Sequence, residues 1–245
     1  MAQSVPTSRA RRANRPLRAR RELPPPGLGA LAPLTPGERR QRQAETLAAP
    51  PRRYHLDARI LFWMEDRLWG KERSLPKFRA RELVARTPYQ AWEQASYFAV
   101  TATGGDPDLA RSIYDHVVAY RAEQDNEQWH LLVLEELIDQ DGGDGSRLRF
   151  RLLPQIVAFG FYQISFALFT WRRSWSYRLN ADIEDHAEHE YAELVSEHPE
   201  WESVEYHSTF AGDYVAFESR ADVLRQIGYD ERLHKEESIA RIMAA

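Results

Sequence analysis

The sequence predicts an all-α protein whose centre is a bundle of four helices. Apolar side chains recur every three or four residues along several long segments, and turns rich in Gly, Asp and Pro separate these segments. Two of the segments carry a Glu-x-x-His pair, and two others carry a single Glu on the apolar side. Because positions three residues apart share one face of a helix, each pair places a carboxylate and an imidazole side by side, facing a core.

Residues 1–53 differ from the rest of the chain in charge and composition. They contain twelve Arg and three Glu, a formal charge of +9, so the remainder sums to −13 within the net charge of −4. Nine of the fourteen prolines also lie there. We expect a disordered basic tail that binds an anionic partner, either a membrane surface or nucleic acid. An organelle transit peptide is the alternative interpretation, and the helical domain would span residues 54–245.

The chain contains no Cys, and this absence limits its chemistry. Disulfides, zinc fingers, thiolate clusters and thiol nucleophiles are all excluded. Any metal must therefore be bound by Asp, Glu and His, a set of ligands that suits iron, manganese or zinc.

Two helices are predicted at the start of the domain, over residues 60–69 and 75–103. In the second, Glu82 and Glu93 are eleven residues apart. That distance is close to three turns, so both lie on one face and either could point inward. Pro88 between them is expected to kink the helix.

Residues 108–140 are predicted to form the next helix. Glu127 and His130 continue an apolar stripe that includes Val117, so both are expected to face a core. The DGGDG sequence at 141–145 ends this helix. It lacks the full ligand pattern of a calcium loop, so we interpret it as a flexible turn.

Residues 152–171 form the most hydrophobic segment of the chain. The segment is uncharged, long enough to span a bilayer, and flanked by Arg and Trp, which are typical of membrane interfaces. Several of its residues are unusual in a spanning helix: Pro154, Gln155, Gly160 and Gln163. Three interpretations stay open: a spanning helix, a helix lying in one leaflet, and a buried core helix.

The last two helical regions are predicted over residues 176–196 and 213–243. In the first, Glu184 lies one turn before an apolar line, so it is expected on the inward side. The many other charges of this region are expected on a solvated face. The second region is expected to be interrupted near Gly228, and it contains the second pair, Glu231 and His234.

The candidate ligands follow one order along the chain: Glu82 (or Glu93), Glu127 with His130, Glu184, and Glu231 with His234. Four-helix bundles with two single Glu and two Glu-x-x-His pairs bind two iron or manganese ions. A chain this rich in Glu and His contains roughly one such pair by chance. Salt-bridged surface helices are therefore the alternative.

The motifs around these residues resemble those of the alternative oxidase family, and within it the plastid terminal oxidase type. The resemblance covers about residues 55–243. RELVARTPY resembles the segment of the first ligand, including the Pro six residues after the Glu, and this selects Glu82 over Glu93. The other similar segments are DNEQWHLLVLEEL, GFYQISFALF, SYRLNADIEDHAEHEYAEL and DERLH.

This resemblance implies a ferritin-like four-helix bundle with additional membrane-associating helices. It implies a non-haem di-iron quinol oxidase, which oxidises two quinols and reduces one dioxygen to two waters. Tyr191 would be a redox-active or hydrogen-bonding neighbour of the metals, and Asn126 and Asp230 would orient ligands. The ligands of the two iron ions in each chain would be Glu82, Glu127, His130, Glu184, Glu231 and His234.

The resemblance also implies a monotopic protein whose hydrophobic helix lies in one leaflet. The membrane would be a thylakoid or plasma membrane in a bacterium, or a plastid or other organelle membrane in a eukaryote. The expected partners are a membrane quinol, dioxygen, the bilayer surface and a second copy of the chain, without nucleic acid. His186, two residues after Glu184, favours plastoquinol over ubiquinol as the substrate.

Two residues depart from the family's pattern. Arg81 stands where a Leu is usual and Lys77 where an Arg is usual, and both positions bear on the quinol pocket. The alternative functions are another di-iron enzyme, such as a quinone-biosynthesis hydroxylase, and a non-catalytic iron-binding helical protein.

Overall fold

A computed structural model describes residues 34–143 and 145–244 of the chain. Within these residues the protein is helical and contains no β-strand, which confirms the all-α prediction. A π-helix at Leu148–Leu152 and a 3-10 helix at Pro199–Ser203 precede and follow the longest α-helix. The six α-helices of the described residues are α1 (Pro36–Ala48), α2 (Leu56–Trp69), α3 (Leu75–Thr101), α4 (Pro107–Gln140), α5 (Leu153–Glu197) and α6 (Arg220–Ala244).

Helices α3 and α4 form an antiparallel hairpin joined by a short turn. Arg79 near the start of α3 pairs with Glu135 near the end of α4. Glu93, further along α3, pairs with Arg121, which lies earlier on α4. The Asp106 side chain accepts hydrogen bonds from the first backbone N–H groups of α4 and so fixes where that helix begins.

Helices α5 and α6 form a second antiparallel pair that packs against the first. Asn180 and Asp185 of α5 contact Ser238 and Lys235 of α6, so the residue numbers run in opposite directions. Helix α3 is also antiparallel to the second half of α5, since Trp92 donates to Ser176 and Tyr191 donates to Glu82. Helix α4 is therefore parallel to the second half of α5.

The backbone of α5 reverses direction at Arg172, whose dihedral angles are not helical (φ −152°, ψ 85°). Residues 153–171 consequently lie antiparallel to residues 173–197. Phe161 packs with Leu179 in one cluster, and the ring of Phe169 lies 5.8 Å from that of Tyr177. Residues 153–171 thus return the chain to the opposite end of the bundle. This return is required because α4 and residues 173–197, which it connects, run parallel to each other.

Helix α6 is continuous through Gly228, contrary to the predicted interruption. A Cβ atom at this position would lie 3.1 Å from the Cβ of Tyr191, which is fully buried on α5. Gly228 therefore allows a close approach of two helices rather than a break in one of them.

Helix α1 lies inside the segment that was predicted to be a disordered tail. Thr35 and Glu38 form a capping box at its start, and Pro36 occupies its first turn. Arg39 is 3% exposed and donates to Gln226 of α6. The tail prediction was therefore wrong for α1, because its Arg and Thr side chains find buried partners. Residues 1–33 lie outside the described residues.

The charged surface of α5 is buried, contrary to the solvated face that the sequence predicted. Asp182, Asp185 and Glu188 are each no more than 2% exposed. Helix α1 and the segment that follows it cover these carboxylates. Thr46 donates to Glu188 (2.6 Å), and the Arg52 guanidinium donates to Asp182 (3.2 Å). Lys235 and Arg232 of α6 complete the neutralisation of Glu188.

We expect the Glu188 network to weaken in acid. Burial raises the pKa of Glu188, but its bonds to Lys235, Thr46 and Arg232 outweigh burial and leave the pKa below the ordinary 4.5. The unfolded chain therefore takes up a proton at higher pH than the folded one, and stability falls as the pH drops through this range. At neutral pH Glu188→Gln should lower the free energy of unfolding by about 3 kcal/mol.

The measurement is urea unfolding of both proteins from neutral pH to below 4.5. The difference between wild type and Glu188→Gln should shrink as the pH falls. Exposed Glu236 on the same stretch of α6 provides the control, and Glu236→Gln should change stability by no more than about 0.5 kcal/mol. A difference that stays constant across this pH range would contradict the role given to the Glu188 carboxylate.

Candidate metal centre

The six side chains predicted as ligands lie together in the centre of the bundle. Each of the four bundle helices contributes: α3 one Glu, α4 a Glu and a His, α5 one Glu, and α6 a Glu and a His. All six are buried, with at most 4% of any of them exposed. These residues are Glu82, Glu127, His130, Glu184, Glu231 and His234.

Their ligand atoms form two overlapping groups, and the atoms of each group lie within 4.8 Å of one another. Two carboxylates, Glu127 and Glu231, belong to both groups. One group also contains Glu82 and His130, and the other contains Glu184 and His234. The arrangement can therefore hold two cations, with Glu127 and Glu231 lying between them.

Each His faces the Glu of the opposite pair more closely than the Glu of its own. His130 Nδ1 is 3.2 Å from Glu231 and 3.9 Å from Glu127. His234 Nδ1 is 2.9 Å from Glu127 and 3.6 Å from Glu231. Each of the two groups therefore draws on both Glu-x-x-His pairs, because antiparallel α4 and α6 place the pairs side by side.

The choice between Glu82 and Glu93 is decided by their positions on α3. Glu82 is 1% exposed and lies 3.3 Å from His130 Nδ1. Glu93 points away from the centre and forms an ion pair with Arg121 at the surface. The motif had selected the same residue, whereas helical periodicity could not.

Two tyrosines donate hydrogen bonds to the two carboxylates that belong to one group each. Tyr191 of α5 donates to Glu82 Oε1 of α3, and Tyr89 of α3 donates to Glu184 Oε1 of α5 at 2.7 Å. Tyr191 was predicted from the sequence, whereas Tyr89 was not. A signal was available, since in each helix the Tyr follows the Glu by seven residues, two turns along the same face.

Asp230 fixes the orientation of His130. Its Oδ2 lies 3.2 Å from His130 Nε2, and it also accepts from Tyr214 at 2.5 Å and from Asn126 at 3.3 Å. With Nε2 facing Asp230, His130 Nδ1 faces the carboxylates. Asn126 acts through Asp230, as the resemblance implied, and Tyr214 is a member of this network that was not predicted from the sequence.

Burial and mutual repulsion perturb the charges of the centre. Burial raises the pKa of Glu127 and of Glu184 well above the ordinary value, and the charge of Glu231 adds to both effects. Burial would also raise the pKa of Glu231, but the nearby imidazoles of His130 and His234 lower it below the ordinary value. The two imidazoles therefore supply positive charge to the four carboxylates.

The centre fits a pair of divalent cations. Several buried ligand atoms make no hydrogen bond within the described part of the chain: both carboxylate oxygens of Glu127 and Glu231, Oε2 of Glu184, and Nδ1 of His234. Buried polar atoms without partners are costly, and a bound cation would satisfy them. Four carboxylates also balance the charge of two divalent ions. The ligand set suits iron, manganese or zinc.

A third acidic group contains Asp185, Glu188 and His189. Lys235 Nζ lies 3.1 Å from Asp185 and also contacts Glu188, so a protein cation already occupies this group. We therefore assign this group a structural role, as a network of ion pairs between α5 and α6.

Comparison of the chain with models of protein families, with curated proteins and with solved structures gives no match. The chemistry of the centre is therefore inferred from its side chains and from the motifs around them.

We expect two divalent cations per chain when the protein is loaded anaerobically with Fe²⁺, measured by elemental analysis after desalting. Because Glu127 and Glu231 belong to both groups, Glu127→Ala and Glu231→Ala should abolish binding of both ions. Glu82→Ala and Glu184→Ala should each weaken mainly one ion. Glu93→Ala, on the same helix as Glu82, is the control and should retain two. Equal retention in all five variants would contradict the assignment.

Proposed function

We propose that this protein is a membrane-bound di-iron quinol oxidase of the alternative oxidase type, most similar to the plastid terminal oxidases. The observation that carries the proposal is the buried set of four Glu and two His from four helices, with two carboxylates common to both groups. The motifs that surround these residues supply the second support. Salt-bridged surface helices, the alternative from sequence, do not fit side chains that are almost fully buried.

The finer assignment of the fold is a ferritin-like bundle. Such bundles place one long crossover between two parallel neighbours and build their metal sites from inward-facing Glu and Glu-x-x-His residues. Residues 153–171 serve as that crossover here, between α4 and residues 173–197.

Two bound iron ions would supply the redox chemistry, passing the four electrons of two quinols to one dioxygen, which yields two waters. Glu127 and Glu231 would help to hold both ions, while Glu82 and Glu184 would each help to hold one. Asp230 keeps the Nε2 proton of His130 in place, so that Nδ1 faces the centre. Tyr191 can give a proton to Glu82 Oε1 along its hydrogen bond, or take one back.

An apolar surface next to the centre supports membrane binding. The described residues include one stretch, Leu148–Glu197, that is long and apolar enough to cross a membrane, and only 28% of its most apolar window is buried. A buried core helix is thus not favoured. Helix α2 adds exposed apolar side chains beside it. The large exposed residues of this surface are Leu56, Ile60, Trp63, Met64, Leu148, Leu152, Ile156, Phe159, Ile164 and Trp171.

Both ends of the apolar helix contact the same bundle, which favours a position in one leaflet over a spanning one. At the start, the Phe150 carbonyl accepts from Arg79, and at the end Phe169 packs on Trp92. A helix that crossed the bilayer would have one end on the far side of the membrane, where it could not contact the bundle. Exposed Arg side chains at both ends, such as Arg149 and Arg172, suit lipid phosphates at a single depth.

The quinol would reach the centre from the lipid, between α2 and α5. His186 of α5 stacks on Phe62 of α2 with ring centroids 4.0 Å apart. Arg81 pairs with Glu65 (2.7 Å) and approaches Glu190 (3.5 Å), and Lys77 pairs with Asp66 (2.8 Å). The two residues that depart from the family's pattern are thus buried and ion-paired beside this route. Plastoquinol is the proposed substrate, as the resemblance to the plastid type implies.

We expect the iron-loaded protein in detergent to consume oxygen when a short-chain plastoquinol is added, with two quinols oxidised per dioxygen and no inhibition by cyanide. Ubiquinol should give a slower rate. An oxygen electrode and the quinone absorbance measure both reactants. Glu184→Ala should lose the activity and Glu93→Ala should keep it. Quinol hydroxylation that needs an added reductant would favour the other di-iron enzyme, and no uptake by an iron-loaded sample would exclude the proposal.

We also expect the protein to bind vesicles through the apolar surface and to be released by detergent. Phe159→Glu should reduce flotation with vesicles of phosphatidylglycerol and phosphatidylcholine, because it places a charge at the centre of that surface. His207→Glu is the control for the added negative charge, since His207 is exposed in the segment before α6, outside the apolar surface. Iron content should remain at two per chain in both variants. Protease protection of the two termini on opposite sides of sealed vesicles would overturn the one-leaflet position.

A further inference from the structure

We propose that Tyr89 is a second redox-active tyrosine of the centre, and that Trp92 with the Tyr120–Tyr177 pair continues an electron path from it. This inference rests on the proposed di-iron function and extends it. The path supplies an electron when too few quinols have arrived to complete the reduction of dioxygen.

Tyr89 contacts both residues that belong to the second metal group alone. Its hydroxyl donates to Glu184 Oε1 at 2.7 Å, and its ring centroid lies 5.6 Å from that of His234. The ring is fully buried, and Asn180 donates to the Tyr89 oxygen at 2.9 Å. Tyr89 therefore relates to the second group as Tyr191 relates to the first.

The surroundings of the two tyrosines differ in the side chains that follow them. The Tyr89 ring lies 5.1 Å from Trp92, edge to face. Trp92 in turn lies 4.9 Å from Tyr177 and 5.3 Å from Tyr120. The ring neighbour of Tyr191 is Phe78, at 4.8 Å, whose benzene ring is far harder to oxidise. A continuous series of oxidisable rings thus leads away from Tyr89.

Each step has a place for its proton. With two iron ions bound and oxidised by dioxygen, Tyr89 would lose one electron to them while its phenolic proton passes to Glu184 Oε1, which leaves a neutral tyrosyl radical. Trp92, whose Nε1 donates to Ser176 at 2.8 Å, returns an electron to Tyr89, and the proton returns from Glu184. The Tyr120–Tyr177 pair then reduces Trp92.

The Tyr120 and Tyr177 hydroxyls lie 2.5 Å apart. The proton lost on oxidation of the pair goes to the carboxylate of Glu123, which is buried one turn along α4 from Tyr120 and pairs with Arg241. The electron that the pair has given up is restored by a quinol, the reductant of the proposed reaction. The path in this way protects the residues around the metal pair from oxidation. The overall balance of two quinols per dioxygen does not change.

The test mixes the fully reduced, iron-loaded full-length protein with dioxygen in the absence of quinol and records electron paramagnetic resonance of rapidly frozen samples. We expect a tyrosyl radical whose signal narrows when the protein is made with ring-deuterated tyrosine. Tyr89→Phe should lose the radical while keeping two iron per chain. Trp92→Phe should confine the radical to Tyr89. Tyr97→Phe, a surface residue that bonds Arg121, is the control and should leave the signal unchanged.

A signal that survives Tyr89→Phe but disappears in Tyr191→Phe would overturn the inference. So would the absence of any radical in a wild-type sample that holds two iron and oxidises quinol, and that result would leave the proposed function intact. Failure to bind iron or to react with dioxygen would overturn both. Peptide mass spectrometry of wild type after repeated oxidation without quinol is independent of any variant. Covalent oxidation should be found at Trp92, Tyr120 or Tyr177, and its restriction to the Tyr191 side would contradict the path.

Discussion

Four carboxylates lie together in the core of the bundle, and much of the surrounding structure is required to keep them there. Removing even one such charge from water costs several kcal/mol, and neighbouring like charges repel strongly at this spacing. Two imidazoles lie between the carboxylates and reduce this repulsion. Glu82 and Glu184 each accept a hydrogen bond from one tyrosine hydroxyl. Asp230 contacts Nε2 of His130, the ring nitrogen that faces away from these carboxylates. Without cations the bonds of the centre are incomplete, so its geometry is best explained by metal binding.

The centre has an approximate twofold symmetry that comes from helix direction. Helices α4 and α6 carry Glu-x-x-His in opposite directions, so each imidazole meets the partner pair's carboxylate. Helices α3 and α5 carry Glu and, seven residues later, Tyr, also in opposite directions, so each hydroxyl meets the partner helix's Glu. The symmetry ends outside the centre. Asp230 faces Nε2 of His130 in one group, and the Trp92 ring packs against Tyr89 beside the other group. The two metal groups therefore have different surroundings.

Much of the fold and most of the site follow from the sequence, because helical periodicity and ligand spacing are local signals. Helices α3 and α4 and the two parts of α5 were predicted near their observed bounds, whereas α6 was expected to begin seven residues earlier and α1 was not predicted. The six candidate ligand side chains lie together, as their positions suggested. What sequence could not provide depends on distant contacts. Helix α1 is stable because its buried side chains meet α5 and α6, and the acidic residues of α5 are buried because α1 covers them. Gly228 resembles a helix breaker until the neighbouring Tyr191 is known. The sharing of Glu127 and Glu231 likewise depends on how two helices are aligned.

The reversal at Arg172 has a consequence for how the protein is made. The four helices of the candidate metal centre cannot close around it until residues 153–171 have returned the chain to the other end of the bundle, and Glu231 and His234 come from the last of these helices. Contacts so distant in sequence form late, since closing long loops is entropically costly. During synthesis residues 153–197 are complete while α6 is still being added. Under the proposed membrane attachment, this segment would meet the lipid surface before Glu231 and His234 are in place, and attachment would be an early event in assembly.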